Sequence, residues 1–153
     1  MQCASPELPT DCRTGAVVST QEIGNAAEAH VALLLEAEGQ VILDRNWRVR
    51  GGELDIVALH ERVLTFVEVR ARTGTLHGAS DESVGPRKLR TLLRAAQAWL
   101  AAHPDYQECF WHVDLFAVTL DRNGAVQRMA RYENLTLDEI TRPDRAQRGG
   151  EWS

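Results

Sequence analysis

Residues 51–72 read GGELDIVALHERVLTFVEVRAR, and their pattern decides the kind of chain this is. Two apolar runs, Glu53 to Leu59 and Val63 to Ala71, are separated only by the polar His60-Glu61-Arg62. Val, Ile, Leu and Phe fill these runs, as a pleated surface prefers, and so short a break joins antiparallel neighbours. Both runs are apolar at nearly every position, so the sheet they build is expected to be covered on both faces. Two charges stand against that background: Asp55 lies between Leu54 and Ile56, and Glu68 between Val67 and Val69. An ionised carboxylate buried alone is costly, so each needs a partner, a metal or an open cleft. Side chains alternate along a strand, which puts Glu53 with Asp55 and Glu68 with Arg70. If the two strands pair, Asp55 and Glu68 converge at one edge of the sheet.

Upstream, Gln40 to Val49 reads as a third strand, closed by Arg50-Gly51-Gly52. Ahead of it, Ser19 and Glu22 have capping-box spacing, and Ile23, Ala26, Ala27, His30, Val31, Leu34 and Leu35 recur at helical spacing up to Gly39. Downstream, Arg72 to Ser83 is a polar loop and a candidate mobile flap. A second helix opens near Val84 and Pro86, with Leu89, Leu92, Leu93, Ala96, Trp99 and Leu100 as its apolar stripe, and stops at His103-Pro104-Asp105. Phe110 to Leu120 reads as a strand, Asp121-Arg122-Asn123-Gly124 as a hairpin turn, and Ala125 to Tyr132 as a short returning strand. Residues 1–18 and 142–153 read as flexible tails around one domain, 19–141. The expected class is α/β: a helix, a three-strand antiparallel meander, a helix, a strand and a C-terminal hairpin.

The 153 residues suit a single domain, and 44% apolar with 25% charged composition excludes a largely disordered chain. No apolar run reaches the length of a membrane span, and the first twenty residues lack a signal peptide's pattern, so a cytoplasmic protein without a membrane partner is expected. Cys3, Cys12 and Cys109 show neither disulfide nor metal-ligand spacing and read as reduced thiols, with Cys109 packed in the core. A net charge of -5 argues against a protein that coats nucleic acid, yet allows a basic face around an acidic site. Of the 17 Lys and Arg residues one alone, Lys88, is lysine.

Gly52-Glu53-Leu54-Asp55, then twelve residues, then Glu68-Val69-Arg70 resembles the Asp…Glu-x-Lys motif of the restriction-endonuclease-like nucleases, whose core has the same element order. More narrowly, the chain resembles the small bacterial YraN family. That resemblance runs from about Gly24 to Val118 and is carried by Gly24-Asn25-Ala26-Ala27-Glu28, Arg45-Asn46-Trp47-Arg48, Gly52-Glu53-Leu54-Asp55, Phe66-Val67-Glu68-Val69-Arg70, Lys88 and Val113-Asp114. It implies that Asp55 and Glu68, helped by the backbone oxygen of Val69, hold Mg²⁺ or Mn²⁺, which favours hard oxygen ligands. Glu28 matches an acidic residue that junction-resolving relatives use as an extra ligand. The implied activity is phosphodiester hydrolysis in DNA or RNA, on duplex, branched or otherwise structured substrates, by Asp55, Glu68 and Arg70; cutting two strands would favour a homodimer. Arg70 departs from the family's lysine. It can grip a phosphate but stays protonated, and its wider fork places charge differently.

Arg48, Arg87, Lys88, Arg90 and Arg94, with Arg45, Arg50 and Arg72, form a candidate nucleic-acid rim; the plainer reading is a solvated face. Lys88 reads either as a surface lysine at a helix start or as a cation reaching the acids from the second helix. Asp114 is expected to pair with an arginine for structure. His60 and His77 read as surface loop residues, and Trp99 and Trp111 as core. Trp47 reads as core too, and beside arginines it is also the candidate for stacking on a base. Three functions follow: a metal-dependent nuclease, a non-catalytic nucleic-acid-binding module with a degenerate nuclease site, or a protein-interaction domain.

Overall fold

The structure is a computed structural model that describes residues 18–74 and 85–135. The two expected tails (Val18 apart) and the expected flap from residue 75 onward lie outside the described residues, as does His77. Helix α1 spans Thr20–Ala37, and its start is the capping box that Ser19 and Glu22 spell: the Ser19 side chain accepts from the Glu22 amide at 3.2 Å, and Glu22 accepts from the Ser19 amide at 2.7 Å. Gly39, at φ 89, ends it with the conformation a glycine adopts without penalty. Strands β1 (Val41–Val49), β2 (Gly52–His60) and β3 (Val63–Thr73) follow as the antiparallel meander.

Helix α2, Pro86–Ala102, begins with proline in its first turn and leads through a short 3-10 turn at Pro104–Tyr106 into β4, Phe110–Leu120. Strand β4 runs parallel to β3, from Val63 opposite Phe110 to Thr73 opposite Leu120, and α2 is the crossover that such pairing demands. Strand β5, Val126–Tyr132, returns antiparallel beside β4; in the turn, Asp121 Oδ1 accepts from the Asn123 and Ala125 amides at 2.8 and 2.9 Å. The five strands lie in chain order. This is the expected restriction-endonuclease-like core with its C-terminal hairpin.

Each sheet face carries one helix, which is why β2, β3 and β4 are apolar on both sides. Ala27, Val31 and Leu35 of α1 pack on Ile56, Ala58, Val67, Phe116 and Val118. Leu89, Leu92, Ala96 and Trp99 of α2 pack on Leu54, Val57, Leu64, Phe66 and Leu115. Burying a side chain of this size stabilises the fold by roughly 1.5–3 kcal/mol. Trp99 is held further by a 3.2 Å bond from its indole Nε1 to Asp44 and by Phe66, edge-on at 5.7 Å. Cys109 is half-buried against this second core, as is Trp111.

One detail departs from simple alternation. Leu54 and Val57 both face α2, whereas Ile56 and Ala58 face α1, so the pleat slips at Asp55. The ladder between β2 and β3 runs from His60 opposite Val63 to Ile56 opposite Val67. Beyond that pair the strands part, and Asp55 stands at the fork.

Candidate active site

The fork is closed by a side chain. Asp55 Oδ2 accepts the Val69 amide at 2.7 Å, taking the place of a ladder carbonyl and tying its carboxylate to β3 directly after Glu68. Both acids are buried, each 8% exposed. Their carboxyl groups stand close enough to act on one another, and two like charges so placed need a proton or a cation to hold them together. Burial first, and the Asp55 charge second, push the Glu68 carboxyl up to about 7. Asp55 is raised too, chiefly by burial, against the pull of the Val69 amide.

The charge that answers this pair comes from α2. Lys88 Nζ lies 3.1 Å from Glu68 Oε1, with the lysine side chain 40% exposed and the glutamate 11%. Of the two readings of Lys88, the structure supports the one in which it reaches the acids. Arg70 follows two residues after Glu68 on β3, half-buried and in register with Ala117.

Glu28, on α1 beside buried Ala27, stands near enough for the Asp55 charge to raise it, after the effect of its own burial. It is held by a hydrogen bond with the Asn46 side chain. Asn46 sits inside β1 at φ 50, a left-handed conformation that Asn tolerates better than most residues. Asn46 is the residue that sequence reasoning passed over: it stood in the quoted Arg45-Asn46-Trp47-Arg48 stretch without a role. An Asn in the middle of a strand pattern was the available signal.

Among the described residues no three His, Cys, Asp or Glu side chains form a group able to hold a metal ion. Among the described residues the acid pair thus supplies two side-chain donors, Asp55 and Glu68, with Glu28 near them on α1. The pair still fits a divalent cation, being hard oxygen donors, buried, and repelling one another. The Val69 carbonyl lies on the same short stretch of backbone.

The candidate arginines lie on β1, just past its end and along α2. Arg48, in register with Glu53 one residue before Leu54-Asp55, is exposed and 3.4 Å from the Glu53 carboxylate. Arg45, Arg50, Arg87, Arg90 and Arg94 are exposed as well. Trp47 packs half-buried against the α2-side core, with His103 edge-on at 6.5 Å. His60 bonds through Nδ1 to the Gly39 carbonyl at 3.1 Å.

Asp114, on β4, is fully buried. Arg131 binds it at 3.2 Å through Nη2, and it accepts the Asn134 amide at 2.9 Å. The expected arginine partner is thus Arg131, which also reaches Glu38 at 2.9 Å and lies over the Phe116 ring at 5.1 Å. His112 stands 3.4 Å from Asp114, which raises its pKa by hydrogen bonding and charge.

A family model described as uncharacterised protein family UPF0102 matches residues 27–118, the span that holds Glu28, the acid pair, Lys88 and Asp114. The chain belongs to that family. Among its UPF0102 relatives, the one from Parafrankia sp. (strain EAN1pec) is 40% identical over 71% of this chain and 91% of its own length. The UPF0102 protein of Gloeobacter violaceus is 45% identical over 68% and 83%. That of Syntrophotalea carbinolica is 52% identical over a shorter stretch, 52% of this chain and 64% of its own. The matched UPF0102 span opens inside α1 and closes inside β4, so it contains the whole acid site.

Proposed function

We propose that this UPF0102 chain is a metal-dependent nuclease whose site is the Asp55–Glu68 pair. The observation that carries the reading is the juxtaposition of two buried carboxyl groups in the fork between β2 and β3. Such a pair works against stability unless a cation is to be held there. Asp55 and Glu68, with the Val69 carbonyl, would hold Mg²⁺ or Mn²⁺, and Glu28 stands in reserve on α1. A bound ion of this kind lowers the pKa of water and neutralises charge that builds on a phosphoryl group.

The chain's own groups do the rest. The Val69 amide fixes the Asp55 carboxylate by one oxygen, which leaves the other to serve as a ligand. Arg70, always protonated, offers charge and hydrogen bonds to a phosphate but no general base. The exposed arginines of β1 and α2 would draw a polyanion to an otherwise acidic protein and position its backbone, without reading its sequence.

The departure at Arg70 favours a second reading, a nucleic-acid-binding module that keeps the acids and has lost the cut. One experiment separates them: a panel of single strands, duplex, flaps, four-way junctions and RNA, incubated with Mn²⁺. Wild type is expected to cut at least one, Asp55→Ala to cut none, and Arg70→Lys to cut at least as well as wild type. Cleavage by Arg70→Lys alone would favour the degenerate site. If no variant cuts yet binding weakens steeply with salt and with Arg90→Ala and Arg94→Ala, the binding module is the better reading. Absence of both cleavage and binding favours a protein-interaction domain.

A further inference from the structure

The chain's single lysine is the residue that meets the acid pair. The other sixteen of the 17 Lys and Arg residues are arginine, so the one side-chain ammonium is placed on Glu68, at 3.1 Å. Lys88 is the third residue of α2, and the next residue, Leu89, is fully buried and anchors that turn. The backbone under Lys88 is thereby fixed, while its side chain, 40% exposed, can swing off Glu68 without unpacking anything. Glu68, 11% exposed, cannot follow it. An ammonium on a flexible four-carbon stem suits such a move. A guanidinium would grip the carboxylate with a planar fork.

A divalent ion on Asp55 and Glu68 would set two positive centres on one carboxylate, and the one that can leave is Lys88. We propose that Lys88 is the mobile cation of the site: it neutralises Glu68 in the free protein, and a divalent ion on the acid pair releases it to the phosphodiester that enters. The inference rests on the nuclease reading and adds to it the source of the second positive charge. In the nucleases that this chain resembles, a lysine follows the Glu on the same strand. Here α2 supplies the ammonium, and Arg70 occupies the strand position.

Because Lys88 is the only lysine, reductive methylation with ¹³C labels its side chain and the terminal amine alone, and the latter serves as an internal reference. Titration of the full chain with Mg²⁺, followed by NMR and in parallel by calorimetry, tests the release. The Lys88 resonance is expected to move in step with the heat of binding, and the reference to stay put. Asp55→Asn should abolish both responses. A non-cleaved phosphorothioate duplex added afterwards should move the resonance again, in the presence of the ion only. In the Mn²⁺ cleavage assay Lys88→Met is expected to lose roughly 100-fold in rate, the scale of one lost transition-state donor, while its calorimetric affinity for Mg²⁺ rises above wild type because no ammonium has to leave Glu68. Binding heat with an unmoved Lys88 resonance would overturn the proposal and leave the metal-dependent reading standing. No binding of Mg²⁺ to wild type would overturn both.

Discussion

Glu68 is expensive as a residue, and its cost has a direction in pH. Its folded pKa, about 7, lies above the ordinary 4.5, so the folded chain keeps a proton that the unfolded chain gives up. Folded protein thus loses stability as pH rises from about 4.5 to 7, and the whole penalty is present above that window. Glu68→Gln removes the titration. In buffer with chelator it is expected to be more stable than wild type at pH 8 by roughly 2 kcal/mol, with the gap closing toward pH 4.5. Urea melts at the two pH values check this, and an unchanged gap would mean that the carboxyl is not held neutral by its surroundings. The side chain is thus kept against the interest of the fold, as is usual for residues with work to do.

At the scale of elements, the decisive contact is the approach of α2 to the first residue of β2. A Cβ on Gly52 would stand 3.1 Å from the Ala95 Cβ and 3.3 Å from the Thr91 carbonyl, so glycine is what lets the helix lie this close to the acid-bearing strand. Gly52→Val is expected to cost roughly 2 kcal/mol by overpacking, read as a lower urea midpoint with unchanged slope. Elements were the most legible level of the sequence. The capping box fixed the start of α1, the apolar runs gave β2 and β3, and the Leu89-Leu92-Trp99 stripe gave α2. Helical and strand periods are local, and a chain carries them openly. What stayed hidden was relational. The Asp…Glu spacing brought the acids together on paper, but their fork depends on where the β2–β3 ladder stops. Whether Lys88 turned toward solvent or toward Glu68 depended on how closely α2 docks, and so on Gly52. Arg131 lies 17 positions from Asp114, and only the β4–β5 register brings them together.

For the molecule as a whole, Arg131 is the tie. Its guanidinium, 13% exposed, joins Glu38 at the end of α1, buried Asp114 on β4 and Glu133 just past β5, and covers Phe116. Removing one member of such a group leaves the others' charge and amide without partners. Asp114→Ala is expected to cost roughly 3 kcal/mol, or about 10 °C in thermal midpoint for a chain of this size. The Mg²⁺ binding proposed for the acid pair should survive in this variant at a temperature where it is folded, since Asp114 stands with Arg131 and not with Asp55. Loss of that binding in a folded variant would move Asp114 into the site.

The parallel run of β3 beside β4 has a consequence for how the chain is made. Thr65 and His112, bonded at 3.2 Å, are 47 positions apart, whereas the meander from β1 to β3 pairs near neighbours. During synthesis the acids and their fork emerge first, and α2 and β4 follow. Until they do, the nascent meander presents one sheet face uncovered and the β3 edge unpaired, the kind of edge that recruits strands from other chains. Pairing across so long a separation is slow, which prolongs that interval. The interval before α2 and β4 arrive is therefore the stage of synthesis at which this chain is most open to aggregation.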